Sequence, residues 1–161
     1  MTSSDIVELT VYKDEENNIF NTDKRFQIPL YQRSFAWEDK QLIQLLEDIN
    51  DSCVDPNSKY YIGTLVVADK GVYYEVVDGQ QRLTSLFLLL HCLKANVTHS
   101  LFFACRDKSN YTLDNLDGIL MDSSVIDNDK IQESIINGVR IIYDELSNSD
   151  KYGEDFLEKL A

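Results

Sequence analysis

Residues 72–82, VYYEVVDGQQR, decide the fold of this chain because they join a strand pattern to a helix pattern through one short polar turn. The first six residues are β-branched or aromatic apart from one glutamate, which is typical of a strand. Apolar residues then recur at helical spacing: Leu83, Leu86, Phe87, Leu90 and Leu93. The sequence therefore predicts a strand that ends near the aspartate and a helix that begins at the glutamines.

The DGQQR turn brings together chemical groups that bind phosphate. The first N–H groups of a helix are unpaired and carry the positive end of its dipole, so they attract anions. Arg82 adds a planar fork that suits phosphate oxygens, and Gly79 permits a tight turn and a close backbone approach. A structural interpretation also stands, in which Asp78 caps the helix and the glutamines and arginine form its first turn.

A second motif, IPLYQRSFAW at residues 28–37, precedes another helix pattern. The structural interpretation is a strand edge followed by Trp37, which packs as a hydrophobic staple. That interpretation explains the tryptophan, but it explains less well why Gln32 and Arg33 lie between Tyr31 and Phe35. The second motif therefore favours a functional interpretation of both.

Composition limits the function classes. The chain has 161 residues, enough for one domain, and a net charge of −13. Because nucleic-acid affinity comes largely from Lys and Arg, this charge argues against stand-alone DNA binding. A local basic site is still compatible with the sequence, if Arg25, Arg33 and Arg82 come together in the folded chain. Three cysteines without a CxxC pair disfavour a disulfide framework or a zinc site. No signal peptide or membrane-spanning run is evident, so we expect a cytoplasmic protein without membrane contact.

The remaining patterns predict an α+β fold. We expect a strand or short helix at 5–13, strands at 26–31, 60–68, 72–77 and 101–105, and helices from 37, from 79 to 94, over 131–146 and from 152. Residues 107–128 are polar and predict a long loop with one short turn at 116–121. Asp129 and Gln132 resemble a capping box before the third helix. The last helix has no terminating glycine or polar tail, from which we expect a piece of a longer protein.

The two motifs, separated by a helix and by YYIGTLVV at residues 60–67, closely resemble the DGQQR domain family, also known as domain of unknown function 262. This is the N-terminal domain of the GmrSD-type, type IV restriction enzymes, which cleave modified DNA. The resemblance covers roughly residues 20–95. It implies a ParB/sulfiredoxin-like fold, a small mixed sheet packed against helices with a helical C-terminal extension. We expect the DGQQR domain at residues 1–106 and the start of the helical extension at 107–161.

The resemblance also implies a module that binds and hydrolyses a nucleoside triphosphate in defence against foreign DNA. Asp78, Gln80, Gln81 and Arg82 would then be catalytic, with Asp78 holding Mg²⁺ or orienting a water and a glutamine positioning the attacking water. The phosphates and base would contact the other predicted site residues, Gly79, Gln32, Arg33 and Tyr31.

Partners and alternatives follow from the same resemblance. Such domains are often followed by an HNH nuclease domain, and DNA would be reached through the full-length protein or a partner subunit. Neither the HNH domain nor the family's downstream FExxN-like segment is present in this sequence. Three function classes therefore stay open: an NTPase that gates a nuclease, a DNA-nicking domain, and a binding module without catalysis.

Overall fold

The computed structural model describes residues 5–14, 16–52, 60–97, 99–122, 124, 127–152 and 156. Helices and strands alternate along most of this length. Their bounds are β1 Arg25–Ile28, α1 Asp39–Ser52, β2 Val66–Asp69, β3 Tyr73–Asp78, α2 Gln80–Cys92, β4 Leu101–Phe103, α3 Asp107–Asp114, α4 Leu116–Met121, α5 Glu133–Leu146 and α6 Ser149–Tyr152, with a 3₁₀ turn at Asn128–Lys130.

Within these residues, four strands form one mixed sheet in the order β2-β3-β1-β4. β1 lies in the middle and runs parallel to both β3 and β4, whereas β2 pairs antiparallel with β3. Parallel strands present their carboxyl ends at the same edge of a sheet, which is where α/β folds commonly bind ligands. The segments that follow β1, β3 and β4 therefore meet at one edge.

The helices bury one face of this sheet. Alternate residues of the three parallel strands point into the core, as the twofold period of a strand requires. α2 is buried on nearly all sides from Leu83 to Leu90, which marks it as the central helix of the fold. α5 packs against both α2 and α1. The chain's apolar residues therefore form one core that includes side chains from both sides of residue 106.

The predicted α+β fold, a small mixed sheet packed against helices, is confirmed. The ParB/sulfiredoxin-like relation and the division at residue 106 stay predictions. The strands and helices predicted around the DGQQR turn are all present, within a few residues of their expected bounds. None of the described helices has the length and apolar character needed to cross a membrane.

Four local predictions are wrong. Residues 107–114 form α3 where a loop was expected, because α3 buries the small polar side chains of Ser109 and Thr112, which carry no apolar period, whereas α4 coincides with the short turn predicted at 116–121. Residues 5–10 form neither strand nor helix, and β2 begins only at Val66, which pairs with Asp78, the last residue of β3. The capping box is also absent: Asp127 caps the 3₁₀ turn and α5 begins at Glu133. Most of the helix predicted from residue 152 lies outside the described residues.

Candidate functional site

The start of α2 has no side-chain cap. Gly79 occupies the N-cap position with a left-handed φ of +88°, so the structural interpretation of Asp78 as the cap is wrong. Asp78 is instead the last residue of β3 and is exposed, and no described residue hydrogen-bonds or ion-pairs with its carboxylate. Both the uncapped N–H groups and the carboxylate are therefore left for a ligand.

The Arg82 guanidinium lies flat against Gly63. A Cβ built on Gly63 would fall 2.6 Å from Cζ of Arg82, a distance that no real Cβ adopts. Gly79 is similarly close to the same loop, since a Cβ there would lie 2.9 Å from the carbonyl oxygen of Thr64. The loop before β2 therefore supports both the DGQQR turn and its arginine.

Arg82 carries its charge without an acidic partner among the described residues. Its charge acts on Tyr60, whose hydroxyl donates a 3.0 Å hydrogen bond to Asp48 on α1. Burial and this hydrogen bond raise the pKa of the Tyr60 phenol, while the nearby charge of Arg82 acts in the opposite direction. The Asp48 carboxylate is held by Tyr60 and by Gln44, so it leaves the arginine free.

The two glutamines of the turn hold the second motif. The Gln81 amide oxygen accepts from the N–H of Ala36 at 2.8 Å, and its nitrogen donates to the carbonyl of Ser34 at 2.9 Å. Gln80 donates to the carbonyl of Arg33 at 3.0 Å. Gln80 is only 5% exposed, and its amide oxygen is buried without a hydrogen-bond partner among the described residues. The structure therefore brings the two predicted motifs into direct contact.

The other predicted site residues lie on the segment 29–37, at the same edge of the sheet. Gln32 donates from its amide to the carbonyl of Val77 at 2.7 Å, directly beside Asp78. Arg33 and Tyr31 are exposed, with Tyr31 at 69%, and no described residue pairs with the Arg33 side chain. Phe35, in contrast, is buried against Gly138 of α5, so it belongs to the core.

Neither a cavity nor a cluster of metal ligands was found at the DGQQR turn in the described part of the chain. One cavity of about 200 Å³ is lined by Arg25, His99 and Asp114 among others, near the amino ends of β1 and β4 and away from the turn. In the described ranges no three His, Cys, Asp or Glu side chains converge as a metal site. The candidate site lies at the carboxyl edge of the sheet, where Asp78 is exposed and offers a single carboxylate.

Sequence reasoning does not single out two residues of this edge, Gly63 and Arg106. Gly63 acts only through the space that it leaves for Arg82, which a sequence pattern does not reveal. Arg106 follows β4 and donates to the carbonyl groups of Leu30 and Gln32. It stands in a polar stretch without any motif, and its partners lie more than 70 residues earlier in the chain.

The family described as the N-terminal domain of the GmrSD restriction endonuclease matches residues 16–160. The chain belongs to this GmrSD N-terminal domain family. The predicted resemblance is thereby confirmed, and the match extends well past the two motifs into the C-terminal helices. No curated protein and no solved structure matches the chain. Membership in the GmrSD family indicates a component of a restriction system.

Two glycines of this GmrSD-family domain provide a matched test of how Arg82 is held. Gly63 and Gly71 both have positive φ, so alanine at either position adds backbone strain of about 1–3 kcal/mol. Only Gly63→Ala also drives a methyl group into Arg82, because nothing lies within 4 Å of the Cβ position at Gly71. We expect the Arg82 Nε–Hε NMR resonance to shift in Gly63→Ala and to stay in place in Gly71→Ala. An unmoved resonance in Gly63→Ala would contradict the packing described above.

Proposed function

We propose that this domain binds a nucleoside triphosphate at the DGQQR turn and hydrolyses it. One observation carries the proposal: five consecutive residues leave an uncapped helix N-terminus, an unpaired carboxylate and an unpaired guanidinium beside one another. The Asp48 carboxylate, which lies near Tyr60, is engaged by Gln44 and Tyr60 and does not pair with Arg82. The triphosphate of a nucleotide is an anion that all of the groups at the turn can contact.

Phosphoryl transfer requires mainly positioning and neutralisation of charge, which suits this arrangement. Arg82 and Arg33 hold the phosphate oxygens, and the N–H groups at Gly79, Gln80 and Gln81 form an anion cradle. A water oxygen attacks the terminal phosphorus, the bond from this phosphorus to its bridging oxygen breaks, and nucleoside diphosphate and inorganic phosphate leave. We assign the ring of Tyr31, which is exposed, to stacking on the base.

Gln80 and Gln81 have different roles in this proposal. Gln81 has both amide atoms in hydrogen bonds to the backbone of residues 34 and 36, so we assign it to holding that segment. Gln80 uses only its nitrogen, and its oxygen is buried without a partner among the described residues, so we assign it the attacking water on condition that nucleotide binding opens the turn enough to admit that water. The catalytic role that the resemblance implies for a glutamine therefore falls to Gln80 in this proposal.

Mg²⁺ fits the chemistry of Asp78. The carboxylate is exposed and unpaired, and Mg²⁺ in nucleotide sites is commonly bound through one or two carboxylates together with waters and the phosphates. Asp78 would hold the ion, which supplies charge neutralisation at the phosphates. All other contacts to the phosphates come from the arginines and the backbone N–H groups.

The restriction context extends the proposal to DNA. We propose that nucleotide turnover controls cleavage of DNA by an HNH-type nuclease domain of the same protein or of a partner subunit. The net charge of −13 supports this division of labour, since it opposes binding of a long phosphate backbone while a compact nucleotide needs only the local arginines. A DNA-nicking activity of the domain itself is the competing function.

The test is a panel of ATP, GTP, CTP and UTP with and without Mg²⁺, read as thermal shift and as release of phosphate. Supercoiled plasmid is assayed in parallel. We expect Asp78→Asn to keep the melting temperature and to lower Mg²⁺-dependent turnover at least tenfold, since it removes the only charged carboxylate of the turn. Asp144→Asn, an exposed carboxylate on α5, is the matched control. Nicked plasmid without phosphate release would replace the proposal by the nuclease, and unchanged turnover in Asp78→Asn would remove Asp78 from the mechanism.

A further inference from the structure

The carboxyl edge of the sheet receives a third segment besides the two motifs. β4 is parallel to β1, and the ladder continues one residue past the strand, where the N–H of Ala104 donates to the carbonyl of Ile28 at 2.8 Å. Arg106 follows two residues later and is the N-cap of α3. The topology thus brings an arginine to the edge that holds Gln32, Arg33 and the DGQQR turn.

The Arg106 guanidinium contacts the backbone of the first motif. Its Nη2 donates to the carbonyl of Leu30 at 3.2 Å and also to the carbonyl of Gln32. Its other terminal nitrogen, Nη1, is buried and lacks a hydrogen-bond partner within the described residues. No carboxylate of the described chain forms an ion pair with Arg106.

This arrangement is costly as a purely stabilising feature. Arg106 is half-buried, and burying its Nη1 group without a hydrogen-bond partner or a counter-ion is unfavourable, so the two hydrogen bonds of Nη2 to carbonyl groups offset only part of that cost. The chain has 28 acidic residues, yet none of those described is paired with this arginine. We therefore expect the charged, planar guanidinium of Arg106 to have a functional role at the carboxyl edge of the sheet.

The contacts of the segment define that role. Arg106 holds the carbonyl groups of residues 30 and 32, and Gln80 holds the carbonyl group of Arg33. Between these fixed points, the Gln32 side chain reaches Val77 beside Asp78, and the Arg33 side chain stays free. A shift of the backbone at Gln32 would therefore displace Arg33 relative to the turn.

We propose that Arg106 is a positioning residue that fixes the Leu30–Gln32 backbone so that Arg33 faces the ligand of the DGQQR turn. It also adds a third positive charge to that edge. The effect on turnover rests on the function proposed above, whereas the effect on the segment does not. Arg106 acts through the segment and has no direct part in the chemistry.

Amide hydrogen exchange tests the effect on the segment without any ligand. The N–H of Gln32 donates to the carbonyl of Pro29 at 3.1 Å, so its exchange reports whether this turn is held closed. We expect Arg106→Ala to accelerate exchange at Gln32 at least tenfold, with exchange in α1 unchanged. Arg106→Lys should give an intermediate rate because one ammonium group cannot reproduce the fork. Lys108→Ala, an exposed neighbour on α3, should leave the rate unchanged. An unaltered rate at Gln32 in Arg106→Ala would overturn the proposal.

A double-mutant cycle on phosphate release distinguishes positioning from general stabilisation. Arg106→Ala and Arg33→Ala should each lower kcat/KM about tenfold, and the double variant should be no more than about threefold below either, because both changes remove the same contact. Losses that multiply to about 100-fold would show that Arg106 does not act through Arg33 and would overturn the proposal. If the wild-type domain releases no phosphate from any nucleotide, the proposed function fails, and the exchange at Gln32 still decides the role of Arg106.

Discussion

Arg82→Ala is expected to abolish nucleotide binding and turnover while leaving the fold intact. The Arg82 side chain makes no hydrogen bond or ion pair to any described residue and rests on Gly63, so its removal should change the free energy of unfolding by less than about 1 kcal/mol. The loss of binding free energy at the phosphates is larger than this change, because hydrogen bonds to charged groups contribute about 1.5–3 kcal/mol each and a guanidinium can donate two. We therefore expect affinity and kcat/KM to fall by about 100-fold or more.

Thermal shift and phosphate release measure this prediction together. A nucleotide at 100 times its dissociation constant should raise the free energy of unfolding of the wild-type domain by about 2.7 kcal/mol, a shift of several degrees. The Arg82→Ala variant should melt at the wild-type temperature without nucleotide, and the same nucleotide concentration should stabilise it by no more than about 0.4 kcal/mol, a shift of roughly 1 °C. Arg140→Ala, an exposed arginine on α5, is the charge-matched control and should behave as wild type. A full shift in Arg82→Ala would place the nucleotide away from the DGQQR turn.

Gln81→Leu is expected to have the largest effect on stability. The change removes two hydrogen bonds, leaves the N–H of Ala36 and the carbonyl of Ser34 without their partner, and keeps a side chain of similar size. At about 1 kcal/mol for each hydrogen bond and more for each group left unpaired, the free energy of unfolding should fall by about 2–4 kcal/mol. The melting temperature should fall by roughly 5–10 °C.

Gln27→Leu on β1 is the matched control for this change. Gln27 is half-buried, and its side chain has no hydrogen bond to any described residue, so the same substitution should shift the melting temperature by no more than about 2 °C. Urea unfolding of both variants measures the difference directly. Equal stabilities would mean that the Gln81 bonds contribute nothing, and the glutamine would then be free for catalysis, as the resemblance implies.

The strand–turn–helix unit at DGQQR could be predicted because its signals are local. Residues 72–77 are dense in strand-forming side chains, Gly79 allows the left-handed turn, and the leucines of α2 follow a helical period. The same residues predicted that the free N–H groups would lie at the start of the helix, whereas their binding of phosphate stays a prediction. The pairing of the two motifs was reached only through the family resemblance, since their contacts join residues 45–47 positions apart.

The parts that were missed lack local signals. α3 buries Ser109 and Thr112, and the Thr112 hydroxyl donates to the carbonyl of Lys108 and accepts from the N–H of Gln132, so this helix packs through hydrogen bonds that hydropathy does not detect. Gly63 has a positive φ and leaves space for the side chain of Arg82, 19 positions later, and the strand-like pattern around it shows neither property. Arg106 hydrogen-bonds to backbone carbonyl groups, which every residue has, so no pattern of residue types in the sequence predicts its contacts.

The residues that hold the segment 30–36 contact its backbone, so the side chains of the segment can vary without loss of these contacts. Gln80, Gln81 and Arg106 hold the segment 30–36 by its peptide groups, and those groups stay the same whatever side chains the segment carries. Exchanges at the exposed positions 31 and 33 should therefore leave the melting temperature unchanged even where they alter binding, whereas proline at position 36 would remove the N–H that Gln81 needs. We therefore expect the exposed side chains of this segment to be able to change on an unaltered framework.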